Sequence, residues 1–144
     1  MRIDRTIEID APRERVYRAL TTPSELKEWF RTDVEGELKP GASVWMTYDV
    51  HRFQVEIVEM TAPDKVVWLW HPGGVDPAVD YSKENRTMVT FTLEATAAGT
   101  RLHLSETGFE EVSLARRAKV FEENTKGWDE VLVWLREYVT QGSK

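Results

Sequence analysis

Toward its C-terminus, from about Ser113 to Gln141, the chain sets Leu114, Phe121, Trp128, Val131, Leu132, Leu135, Tyr138 and Val139 mostly three and four residues apart, without proline. That spacing lays the apolar side chains along one stripe of a 3.6-residue helix. At 1.5 Å of rise per residue such a helix runs roughly 40 Å, enough to cross a small domain. A long helix with one apolar side needs a broad apolar surface to lie on.

Elsewhere the period is two. Residues 2–9, RIDRTIEI, set Ile3, Ile7 and Ile9 against Arg2, Asp4, Thr6 and Glu8, the pattern of a half-buried strand. Asp10-Ala11-Pro12 stops it, with Asp10 placed to serve the free amides of a following short helix, RERVYRAL, which carries Val16, Tyr17 and Leu20 on one side. Thr22-Pro23-Ser24-Glu25 has the form of a capping box and predicts a second short helix from Pro23 to about Trp29. From Asp33 to Gly108 the pattern predicts strands at 34–39, 43–50, 53–60, 65–70, 86–95 and 100–107. Turns fall at Pro40-Gly41, Ala62-Pro63-Asp64 and Ala98-Gly99, and connections this short imply antiparallel pairing. The longer connection from His71 to Asn85, with Pro72-Gly73-Gly74 and Pro77, is of a length that serves function more often than not. The order of elements (strand, two short helices, about six strands, long helix) predicts an α+β fold in one domain, 1–144. A curved antiparallel sheet wrapped on the long helix leaves room between them near the short helices.

Composition narrows the function classes. With 41% apolar and 31% charged residues the chain has the make-up of a soluble globular protein. It holds no apolar run near the roughly 18 residues of a membrane span. The alternating N-terminus reads as neither signal nor transit peptide, so a cytoplasmic location and no membrane partner are expected. The absence of cysteine rules out disulfides and thiolate nucleophiles. A net charge of −6 argues against nucleic acid as a partner. Six tryptophans suggest a wide interior or a binding surface.

Candidate chemistry is sparse. His51, His71 and His103 lie far apart, without the i, i+4 spacing of metal ligands, so neither metal nor cofactor is expected. No GxSxG elbow and no phosphate cradle is present. The informative polar signal comes from following the long helix's stripe backwards through Tyr138, Leu135, Val131, Trp128, Asn124, Phe121 and Arg117. Asn124 and Arg117 thus fall on the inward side, and Glu106, on the same strand face as Leu104, is a candidate partner for Arg117. Either the helix end near Arg117 is solvated, or Arg117, Asn124 and Glu106 put polar atoms into an aromatic pocket, the usual way of orienting a small molecule. Gly127 reads as a close contact or a bend. Most inward aromatics are expected to be core, while Trp29, Phe30 and Trp70 stand where a pocket mouth would be. An exposed Trp45 or Trp134 would suit a protein contact such as a homodimer.

The segments IEIDAPRERVYRALTTPSELKEWF (7–30), KPGASV (39–44), VEIVEMTAPDKVVWLW (55–70), TGFEEV (107–112) and NTKGWDEVLVWLREYV (124–139) together resemble the START-like, helix-grip (SRPBCC) superfamily, in the branch of the activator of the heat-shock protein 90 ATPase. The resemblance implies a cavity between the sheet and the last helix. Its expected lining is Trp29, Phe30, Trp68, Trp70, Phe91, Glu106, Arg117, Phe121, Asn124 and Trp128. The expected function is non-catalytic binding of a hydrophobic or amphipathic small molecule. The alternatives are a polyketide-cyclase-like enzyme using Glu106 as an acid/base group, and a chaperone-ATPase regulator. The regulator is disfavoured by the acidic balance and by the chain's opening directly on the first strand.

Overall fold

The computed structural model describes residues 1–73 and 84–141. Its elements run β1 (Ile3–Ile9), α1 (Arg13–Thr21), α2 (Pro23–Trp29), β2 (Asp33–Glu35), β3 (Ser43–Tyr48), β4 (His51–Thr61), β5 (Lys65–Trp70), β6 (Thr87–Ala95), β7 (Thr100–Thr107) and α3 (Leu114–Gln141), with a 3-10 turn at Phe109–Glu111. The strands form one antiparallel sheet ordered β1-β7-β6-β5-β4-β3-β2. This is the expected α+β helix-grip architecture, a curved sheet with α3 laid across it.

Alternation decides which face is inside. Val44 and Met46 of β3, Val89, Phe91 and Leu93 of β6, and Leu102 and Leu104 of β7 are buried, while Trp45, Met88 and Arg101 between them are exposed. On α3 the buried positions are Val120, Trp128, Leu132, Leu135 and Val139, steps of three and four once the half-buried Asn124 is included. Each such side chain removed from water contributes about 1.5–3 kcal/mol. Trp128 is the hub: its ring lies 5.8 Å from Trp70, 5.8 Å from Phe91 and 6.2 Å from Phe30, joining α3 to β5, β6 and the end of α2.

Local departures from expectation have local causes. The second strand ends at Glu35 rather than 39, because Gly36 takes a left-handed φ of 118° and carries the chain out of the ladder. The third strand stops at Tyr48. Asp49, with φ 53°, turns the chain so that Tyr48 pairs directly with His51, a tight hairpin that an aspartate tolerates. The capping box does not form. Thr22 makes no side-chain cap bond, and the Glu25 carboxylate goes instead to Arg15 at 2.5 Å, Arg18 at 3.1 Å and the Tyr138 hydroxyl at 3.1 Å. Asp10 likewise does not cap α1, whose N-cap residue is Pro12. In both cases ion pairing or chain direction overrides a local preference. The Arg15–Glu25–Tyr138 cluster ties α1, α2 and the C-terminal half of α3 into one closed corner.

Candidate functional site

Two features meet along the middle of α3: a buried carboxylate beneath it and a cavity beside it. Glu106 of β7 is fully buried. Its Oε2 accepts the indole N–H of Trp70 at 2.9 Å and the Thr87 hydroxyl at 2.5 Å; its Oε1 accepts the indole N–H of Trp128 at 2.8 Å. The Asn124 amide bridges both oxygens at 2.9 and 3.0 Å. Among the described residues all four neighbours donate, and no cation is among them. Such a set suits a carboxylate, whose oxygens only accept, and it satisfies the hydrogen-bonding demand that burial imposes.

Asn124 is fixed from both ends, because its Oδ1 accepts the backbone N–H of Gly73 at 3.1 Å. Gly73 has to be glycine: φ is 77°, and a Cβ there would lie 2.6 Å from Cγ1 of Val120. The chain leaving β5 is thereby pressed onto α3. Arg116 strengthens the clasp, donating to the Pro72 carbonyl at 2.8 Å and pairing with Glu84, which also accepts from the Ser113 hydroxyl. His71 lies beside this cluster. Burial pulls its pKa below the ordinary 6.5, with Glu84 opposing and Arg86 and Arg116 adding to the fall.

The cavity, about 300 Å³, lies between α3, the end of α2 and the β3–β4 hairpin. Its apolar wall is Phe30, Tyr48, Phe53, Val131 and Trp134; its polar wall includes Thr32, His51, Glu123, Asn124 and Glu130. A side recess of about 90 Å³ reaches Trp70 and Trp128 past Phe30 and Asn124. Gly127 lines both spaces, and a Cβ there would meet nothing within 4 Å. The glycine is therefore neither a close contact with the sheet nor forced by crowding; it leaves the wall of the cavity open. Two surface hollows of about 420 Å³ beside the β6–β7 turn and the C-terminal end of α3 contain no aromatic ring.

Of the residues the sequence nominated, Phe30 and Asn124 line the main cavity, and Trp70 and Trp128 line its recess. Glu106 stands one layer behind them, holding the Asn124 amide and both indoles. Trp29, Trp68 and Phe91 are core instead: Trp29 donates to the Ala19 carbonyl at 2.7 Å, and Trp68 packs on Phe91 at 5.2 Å. Phe121 packs edge-on against Phe109 at 5.1 Å, away from the cavity. The expected Arg117–Glu106 pair does not exist. Arg117 sits in the first turn of α3, where its guanidinium reaches back to the Val112 carbonyl at 3.2 and 3.0 Å. The middle of the connection 71–85, expected from its length to serve function, lies outside the described residues. Tyr48, His51, Phe53, Glu123, Glu130 and Trp134 were not nominated. Tyr48 was legible as the continuation of the Val44–Met46 face, and Glu123, Gly127, Glu130 and Trp134 as one flank of α3. Trp45 is 37% exposed with the Arg52 guanidinium over it at 4.0 Å, and Trp134 holds Arg31 at 3.9 Å. Among the described residues no group of three or more histidine, aspartate or glutamate side chains is placed to hold a metal, and no helix is long and apolar enough to cross a membrane.

A curved antiparallel sheet gripping one long helix, with a cavity beside the helix's middle, defines a helix-grip domain of the START-like (SRPBCC) superfamily. Residues 10–140 match the family described as Activator of Hsp90 ATPase homolog 1-like protein, and the chain belongs to that family. Solved structures agree on the fold. Protein MLL2253 from Mesorhizobium loti is 22% identical, with 100% of this chain and 99% of that one covered and a TM-score of 0.81. The Aha1 dimer from Colwellia psychrerythraea is 21% identical, covering 96% of each chain at a TM-score of 0.77. DynU16, from the dynemicin biosynthetic locus, is 22% identical over 98% of this chain and 48% of its own, also at 0.77. No curated protein matches the sequence.

Proposed function

We propose that the chain binds a hydrophobic or amphipathic small molecule in the cavity between sheet and α3, without transforming it. The supporting observation is the cavity itself: aromatic on one side, polar on the other, and floored by an asparagine held in a single orientation. Its volume is at the low end for small-molecule sites and equals about ten waters of liquid. The Asn124 amide is clamped between Glu106 and Gly73, so it presents a preorganised edge to a ligand at no ordering cost on binding.

The cyclase-like reading needs a carboxylate that can exchange a proton with substrate. Glu106 is the buried candidate, and its oxygens are engaged by four donors behind the cavity wall, which favours a binding role over an acid/base one. Regulation of a chaperone ATPase rests on the family's name alone. Self-association, the dimeric state of the Colwellia Aha1 structure, is a further proposal for which the partly exposed Trp45 is the candidate contact.

Titration of intrinsic tryptophan fluorescence tests the binding reading, because Trp70, Trp128 and Trp134 all border the space. Small lipids, flavonoids and polyketides that fit the cavity are expected to change the emission with Kd below about 100 µM. A flat response across that panel overturns the reading. Gly127→Leu, which fills the open wall, is expected to abolish the response in a protein that remains folded.

A further inference from the structure

Resting on the binding reading above, we infer that the cavity selects an organic cation: a protonated amine or quaternary ammonium carried on an aromatic or apolar body. Three observations converge on this. The charged side chains among the described walls are Glu123 and Glu130, seven residues apart on the same flank of α3, and neither forms an ion pair among the described residues. Behind Asn124 stands Glu106, a buried carboxylate whose partners among the described residues are neutral donors. The same cavity is lined by the aromatic rings of Phe30, Tyr48, Phe53 and Trp134, and an aromatic face attracts a cation through its quadrupole. One wall ring, Trp134, already holds the Arg31 guanidinium at 3.9 Å. Arg31 is not itself a wall residue, and among the described wall residues His51 is the one basic side chain.

The physical consequence is an excess of negative charge along one side of a concave, partly desolvated space, where charge counts for more than on open surface. A carboxylate-bearing ligand would meet that charge as repulsion. A neutral ligand would gain only the apolar contact. A cation with an apolar body would gain both, with its charge toward Glu123 and Glu130 and its body against Phe30, Phe53 and Trp134.

Calorimetric titration of the full chain with three probes sharing one ring system separates these cases: naphthylmethylamine, naphthylmethanol and naphthylacetate. The amine is expected to bind about tenfold tighter than the alcohol at low salt, and the acetate most weakly. That advantage should shrink as salt rises toward a Debye length of about 8 Å. The double variant Glu123→Gln/Glu130→Gln, confined to exposed positions, is expected to remove most of the amine's advantage over the alcohol. Equal binding of all three, or preference for the acetate, overturns charge selection while leaving the cavity reading standing. Failure of all three to bind below about 1 mM removes both.

Discussion

The C-terminal end of α3 and its middle each sit over a carboxylate, and the two carboxylates are handled in opposite ways. At the C-terminal end Glu25 meets two guanidiniums and a phenol, and the cluster closes the corner between the three helices. At the middle of α3 Glu106 is more deeply buried, yet among the described residues it meets neutral groups alone: two indoles, an amide and a hydroxyl. Ion pairing at the first site neutralises charge within the fold. Hydrogen bonding at the second satisfies the oxygens while leaving the charge uncompensated, next to the aromatic-walled cavity. The closed site is built for holding the helix, and the open site for presenting a polar, negatively biased floor.

The largest effect expected from this difference comes from deleting Glu106. Glu106→Leu strands four buried donors at once and should cost roughly 3–5 kcal/mol in urea unfolding. Glu106→Gln keeps the shape but turns an N–H toward N–H donors, and about 2 kcal/mol is expected. If Glu106→Gln proves neutral, the four-donor account of the site fails. Glu25→Gln is expected to cost less, about 1 kcal/mol, since Arg18 is mostly solvent-exposed and Arg15 keeps its place over the Tyr138 ring at 5.1 Å. A Glu25 loss equal to that of Glu106 would erase the contrast between the two sites.

Much of this arrangement was legible in the chain. The bounds of α2, β5 and β7 follow from proline, turn residues and strict alternation, and the same alternation puts Glu106 inward beside Leu104. Helical spacing puts Asn124 on the buried stripe. What spacing does not carry is register between distant strands. Trp70, Thr87 and Glu106 converge only because β5, β6 and β7 pair as they do, with Trp70 opposite Thr87 and Val89 opposite Glu106. Charge pairing was misjudged for a related reason. Arg117 shares a stripe with Asn124, but in the first turn of a helix a free backbone carbonyl is nearer than a carboxylate two turns away. The cavity's far wall was missed because its residues flank the apolar stripe rather than occupy it.

Gly127 offers a smaller and opposite effect. Its Cβ position is empty, so Gly127→Ala should stabilise α3 by about 1 kcal/mol while trimming the cavity. A rise in thermal midpoint together with weaker ligand binding is the expected pair of results. Stability rising with affinity unchanged would show that the glycine does not shape the site.

The smallest effect separates the two sites by pH. His71, beside the clasp at the open site, has its pKa lowered by burial. Between that lowered value and the unfolded value near 6.5 the unfolded chain binds more protons than the folded one, so stability rises with pH across the window. It is fully present above about 6.5 and is lost as pH falls through the folded value. The closed site carries no counterpart, because its cations are guanidiniums that keep their protons throughout this range. Other groups of the chain contribute equally with and without His71, so the measurement is a difference: urea midpoints at about pH 7.5 and about pH 5.5 for the native chain and for His71→Gln. The native chain is expected to lose more over that interval than the variant. Equal losses would mean that the clasp between β5 and α3 does not sense protonation of His71.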